Sequence, residues 1–299
     1  MMARPRKSKC QHFRGKLIAH AIAHLVQVHH TAFGLTRWFE IVCRVPRNSF
    51  PDKMFQEYLN GVVPFHARLQ QILRGCPKAQ HWIRHPLYRA LSQNYREFDK
   101  LLIDAGEFCE VCDGDDLIFF RWLPNHWAVD VELARLLTII SGLRPKDRIR
   151  VQCWRYFPTL LAVTCYLTPV GFVRYALFDL INSRLGIALL GPAKWVGEGW
   201  PKTRSELDAL VAFWAKWINA ARVVGLINSD EGAAKLTRLV QKLADDEQKH
   251  LFDTLTLAAN EHVSIFHYPI LRRLYQALRR HPPFMLQVGD PPKPGQLVN

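Results

Sequence analysis

The sequence predicts an α+β fold that is predominantly helical, with helical N- and C-terminal parts around a smaller β-containing centre. Three observations carry that expectation. Apolar residues recur at helical spacing from Leu17 to Val42 and again after Ser205. The segment FCEVCDGDDLIFFRWLP sets an Asp-Gly pair between two short apolar runs, the pattern of a tight hairpin. Residues 148–157 alternate with period two. Arg148, Arg150, Gln152, Trp154 and Tyr156 would share one strand face, and Ile149, Val151, Cys153, Arg155 and Phe157 the other. The chain then divides into a basic arm and helical region over 1–105 and a mixed centre over 106–200. A second helical region over 201–282 and a proline-rich tail over 283–299 complete it.

The arm holds Arg4, Arg6, Lys7, Lys9, Arg14 and Lys16, and no acidic residue precedes Glu40. Leu17, Ile18, Ala21, Ile22, Leu25 and Val26 mark the first helical segment, which VPRNSFPDK breaks. A second runs over 53–73 with an interruption near Pro64. A third, HPLYRALSQNYREFDKLLIDAG, has Pro86 at a first-turn position and Gly106 past its end. VDVELARLLTIISG reads as a helix closed by Gly142. The runs around TLLAVTCYL and GFVRYALFDLINSRLGIALLGP are rich in Val, Ile, Leu, Tyr and Thr and are punctuated by Gly and Pro. They are expected as strands, with helix as the open alternative. KWVGEGWPKT is a loop. Ser205 is the predicted N-cap of the next helix, with Asp208 three residues on. Leu207, Leu210, Val211, Trp214, Trp217, Ile218 and Ala221 form its apolar stripe. SDEGAAKLTRLVQKLADDEQKHLFDTLTLAA and YPILRRLYQALRRH are further helices, and PPKPGQLVN is a loose tail.

A hydrophobic fraction of 49% places the chain among folded proteins rather than disordered ones. Its 40 Lys and Arg against 26 Asp and Glu leave a net charge of +14, which favours polyanionic partners. Seven cysteines make an odd, sparse set, unlike a disulfide framework, so a cytoplasmic location is expected. His20 and His24 interrupt the first apolar run and no small-residue cleavage site follows, which argues against a signal peptide. The longest uncharged apolar run, Phe157 to Val173, contains Pro158 and Pro169. It is shorter than the roughly 20 residues of a spanning helix.

Catalytic and metal-binding patterns are incomplete. His20 and His24 stand at i, i+4, with His29 and His30 a turn further, but no carboxylate lies near them in sequence. Glu247 and His250 have the carboxylate–histidine spacing of helical di-iron sites, which use two such copies. Cys109 and Cys112 form a single Cys-x-x-Cys that would need His126 and Cys153 to complete a zinc site. No glycine-rich phosphate loop or nucleophile elbow occurs. No catalytic residue, cofactor or metal is therefore expected. A metal-dependent helical enzyme at those clusters is the alternative.

The strongest constellation is basic. Arg144, Lys146, Arg148, Arg150 and Arg155 face one acid, Asp147, over twelve residues. Arg and Gln pair bidentately with guanine and adenine edges, and Lys or Arg neutralise phosphates. Lys194 and Lys202 extend the set, and Arg272, Arg273, Arg279 and Arg280 follow near the C-terminus.

Four short motifs, RWLPN (121–125), WRYFPTLLAVTCY (154–166), SRLGIA (183–188) and LINSDEGA (226–233), occur in this order. Their order resembles that of the replication-terminus site-binding proteins of bacteria, the Tus family, over at most the last three-fifths of the chain. The resemblance implies that Arg184, Gly186 and Ala188 lie at a DNA interface. The chain departs from the family between the last two motifs, where a predicted helix at 205–224 stands in place of DNA-contacting strands.

The expectation is thus a non-catalytic double-stranded DNA-binding protein of replication or plasmid and mobile-element maintenance. Its groove would be formed by Arg144, Lys146, Arg148, Arg150, Gln152, Arg184, Gly186, Ala188, Lys194 and Lys202. An acidic protein or an anionic lipid surface is the other class of partner for such a basic chain.

Overall fold

The structure is a computed structural model and describes residues 8–91, 129–141, 147–188, 199–241 and 243–280. Within them all regular structure is helical and no strand occurs. The β-containing centre is therefore corrected to helix wherever it is described, and the predicted Cys109–Cys112 hairpin lies outside the described residues.

α1 (Lys9–Leu25) begins inside the expected basic arm, because Ser8 and Gln11 form a reciprocal capping box that starts the helix there. It is buried on two sides. Phe13, Leu17 and Ala21 enter a large core, while Ile18, Ile22, Ala19 and Ala23 enter a smaller one. Each set repeats at i, i+4, so one helix closes both cores. α2 (Ala32–Cys43) is capped by Thr31 and ends where Arg44 turns left-handed, at φ 54°. α3 (Lys53–Leu59), α4 (His66–Gly75), α5 (Ala79–Ile83) and α6 (Leu87–Ala90) are short. Phe39, Phe55 and Tyr58 supply much of the smaller core beneath them. At Gly15, α1 meets the turn after α3: a Cβ there would lie 2.5 Å from the Gly61 carbonyl. Gly61 itself has φ +96°, which favours glycine.

The large core is built on α7 (Val129–Ser141) and α8 (Asp147–Leu167). Thr164, late in α8, donates its hydroxyl to the Val129 carbonyl at the start of α7, so the two run antiparallel. The apparent strand alternation at 148–157 is the beginning of α8. Trp154, Phe157, Leu161 and Cys165 are buried along it at helical spacing, and Pro158 is accommodated within the helix. The remaining expected strand is also helix: a 3-10 turn (Pro169–Val173) leads into α9 (Arg174–Ala188), which buries Leu177, Ile181 and Leu185. The β-branched residues that suggested strands are core residues here, and burial outweighs their local preference.

α10 (Arg204–Val223) packs on α8 and keeps the predicted stripe, with Leu207, Trp214, Trp217, Ile218 and Ala221 buried. Its cap is Thr203 rather than Ser205: Thr203 Oγ1 accepts from the Glu206 amide at 3.1 Å. Asp208 instead takes Arg174 Nε at 2.7 Å and the Tyr175 hydroxyl, tying α10 to α9. α11 (Asp230–Val240), α12 (Asp245–Asn260) and α13 (Pro269–Arg280) complete the C-terminal part. No single helix among the described residues is long and apolar enough to cross a membrane.

Candidate functional site

The predicted groove does not form as one face. Arg144, Lys146 and Lys194 lie outside the described residues. Arg148, Arg150 and Gln152 fall in α8, where successive positions turn by about 100°, so the strand face that aligned all three is lost. Trp154, expected to continue that face, is in the core at 2% exposure. Arg184 is 4% exposed, within α9 rather than on an open surface, and Gly186 and Ala188 belong to the same helix. Lys202 is exposed beside the start of α10, its amide donating to Glu206 Oε2 at 2.8 Å.

Cationic charge collects elsewhere. Residues 1–91 hold 15 of the 40 Lys and Arg but only 3 of the 26 Asp and Glu. One of those acids, Glu40, is buried and accepts from Arg37 Nη1 at 2.8 Å and the Phe50 amide at 3.3 Å. Burial pushes its carboxyl up, but the Phe50 amide and Arg37 more than offset this and hold it below its ordinary value. The other two, Asp52 and Glu57, lie on or beside α3.

A Cβ on Gly75 would stand 2.5 Å from a Val42 methyl, so the C-terminal ends of α2 and α4 meet there. That contact sets the helix ends that carry Arg44 and Arg74 side by side, with Arg47 and Lys78 three and four residues further along. All four are exposed, and none forms an ion pair with a described residue. Cations at helix C-termini also answer the helix dipole, which accounts for part of the placement of Arg44 and Arg74. Four such side chains on one surface can neutralise phosphates.

A second basic face lies on α13. Arg272, Arg273, Gln276 and Arg279 are exposed while Leu271, Leu274 and Leu278 are buried, and the helix carries no acid.

The histidines sort differently from their sequence spacing. His20 pairs with His30 rather than His24: their Nδ1 atoms are 3.1 Å apart, and both rings stack against Phe172. Burial, then His30 and Lys16, hold His20 down to about 4. Glu247, expected beside His250, caps α12 by accepting the Ala244 amide at 3.0 Å. The tightest donor cluster is one that spacing alone did not reveal. His81, on α5, and His85, just past it, both approach Asp130 Oδ2, at 2.7 and 3.1 Å from Nε2. Asp130 sits in the first turn of α7 and is 2% exposed, and His85 is 1% exposed. Burial raises the Asp130 carboxyl, yet the two imidazoles outweigh it and keep the group ionised. Burial keeps His85 neutral against the opposing pull of Asp130. His85 Nδ1 accepts the Leu87 amide at 3.1 Å, and its ring stacks on Trp82. The signal was present as His-x3-His in QHWIRHP, but its third member lies 45 residues beyond His85.

No family model, curated protein or solved structure matches the chain. Of the motifs that resemble the Tus family, LINSDEGA (226–233) forms the turn from α10 into α11. There Ser229 Oγ accepts the Gly232 amide at 3.1 Å. The turn lines a cleft of about 280 Å³ with Lys235, Tyr275 and Arg279.

Proposed function

We propose that the protein is a non-catalytic polyanion-binding protein whose partner is double-stranded DNA. The observation that carries this reading is the gathering of Arg44, Arg47, Arg74 and Lys78 where α2 meets α4, in a third of the chain that has few carboxylates to balance it. Phosphate neutralisation releases condensed counterions and needs this kind of cationic surface, with no particular fold behind it. The α13 face offers Arg and Gln side chains on a helix, the form that enters a major groove and reads base edges. A role in replication or in plasmid and mobile-element maintenance is supported by the ordered motifs of the Tus-like resemblance. A cytoplasmic location fits Cys10, Cys43, Cys76 and Cys165, which are free thiols.

Fluorescence anisotropy of a labelled duplex, measured across salt concentrations and with competitor DNA, tests the reading. Binding at low salt that falls steeply as salt rises, with a preferred sequence surviving competition, is the expected result. Absence of any affinity at low salt ends the proposal. Sedimentation with anionic vesicles but not with DNA would move the same basic surface to a lipid partner.

A further inference from the structure

We propose that His81, His85 and Asp130 form a binding site for a divalent transition cation of the zinc class, with open coordination on the solvent side of His81. Two imidazoles and one carboxylate are a donor set suited to such ions. One donor atom from each residue lies within 4.8 Å of the others, and no other group of three among the described residues achieves this. At metal–ligand bonds of about 2.0–2.1 Å, tetrahedral donors stand roughly 3.3 Å apart. The present contacts to Asp130 Oδ2, 2.7 and 3.1 Å, therefore need to widen by up to about 0.6 Å, and the two imidazole nitrogens, within 4.8 Å of each other, need to draw together to admit an ion.

The charge balance points the same way. Asp130 is a buried carboxylate whose hydrogen-bond partners are two imidazoles, with no lysine or arginine paired to it among the described residues. A divalent cation would complete the compensation that burial of a full charge calls for. Access comes from His81, whose side chain is 39% exposed while the other two are buried. The His85 proton now sits on Nε2, because Nδ1 accepts the Leu87 amide. For Nε2 to bind the ion, that proton has to move to Nδ1, which then no longer accepts the Leu87 amide, so loading shifts the start of α6. In return it fastens the α5–α6 end of the N-terminal layer to the first turn of α7.

The probe is Co(II), titrated into the metal-stripped full-length protein, with zinc as competitor. A visible absorption band saturating at one equivalent and bleached by zinc is expected, with a zinc-dependent rise in melting temperature. His81→Ala, on the exposed ligand, should weaken Co(II) binding by at least about 100-fold while circular dichroism stays unchanged. Asp130→Asn should do the same. The His20→Ala/His30→Ala and Cys109→Ser/Cys112→Ser variants should keep the band. Absence of stoichiometric binding, or full binding retained by folded His81→Ala, overturns the assignment.

Discussion

Gly15→Ala tests the claim that α1 is shared by two cores. The added methyl would lie 2.5 Å from the carbonyl carbon and oxygen of Gly61 and 2.9 Å from its Cα. Unstrained carbon contacts stand at about 3.5–4.0 Å, so α1 must retreat from the α3 turn by roughly 1 Å. The neighbour is backbone and cannot rotate aside. Retreat loosens Phe13 and Leu17 in the large core and Ile18 and Ile22 in the small one together. Overpacking of this kind costs about 1–3 kcal/mol. Replacing a helical glycine with alanine returns about 1 kcal/mol. The net loss is up to about 2 kcal/mol, or several degrees of melting temperature for a chain this long. Gly75→Ala is the internal comparison: its nearest neighbours are Val42 methyls at the exposed end of α4, which can shift. Thermal and urea unfolding followed by circular dichroism should rank Gly15→Ala well below Gly75→Ala. A Gly15→Ala protein stabilised by the full helix-propensity gain would refute the close approach and the two-core role of α1.

Three other outcomes follow from the same contacts. Charge removal at Arg44, Arg47, Arg74 and Lys78 together should lower the slope of log affinity for duplex DNA against log salt by about 3.6, if each meets one phosphate; an unchanged slope would place the interface elsewhere. Thr164→Val keeps the shape of a fully buried side chain but removes the hydroxyl that donates to the Val129 carbonyl, so unfolding should show a loss of about 1 kcal/mol. His20 has a folded pKa of about 4 against 6.5 when free, so the unfolded chain binds more protons between those values. Stability should therefore fall as pH drops from 6.5 towards 4 and level off below. Solvent screening limits the loss to on the order of 1 kcal/mol. The groups around His20 are His24, His30, Lys16 and Phe172, and His20→Asn should flatten that segment of the profile.

The helices with clear stripes were legible from residues alone. Five of the seven residues of the α10 stripe are buried, with Leu210 and Val211 half-buried, and residues 129–141 are helical as their apolar run implies. The centre misled because short apolar runs carry no decisive period. Arg148-Ile-Arg-Val alternates like a strand, but so short an alternation also fits a helix that is buried further along. Trp154, Phe157 and Leu161 hold the helical period that decides α8. The α10 cap was placed to within two residues: Ser205 is a good cap type, but Thr203 makes the bond, and Asp208 is engaged by Arg174.

The site was less legible, for a reason that concerns how charge is read. A run of arginines in sequence is a local property, whereas a binding surface depends on which cations lack carboxylates around them in space. The 144–155 run drew attention through density, yet its neighbours include the core-facing side of α8. Arg44 and Arg74 stand 30 positions apart, on helix ends brought side by side where Gly75 packs on Val42. His85 and Asp130 show the same logic at short range, a contact between elements that are remote along the chain. Both assemblies depend on the docking of the N-terminal layer. The cationic end needs α2 against α4, and the histidine–aspartate cluster needs α5 and α6 against α7. If an ion at His81, His85 and Asp130 steadies that docking, duplex binding by the Arg44–Arg74 surface should tighten with zinc in the native protein and not in His81→Ala. A zinc effect of equal size in both would separate the two sites.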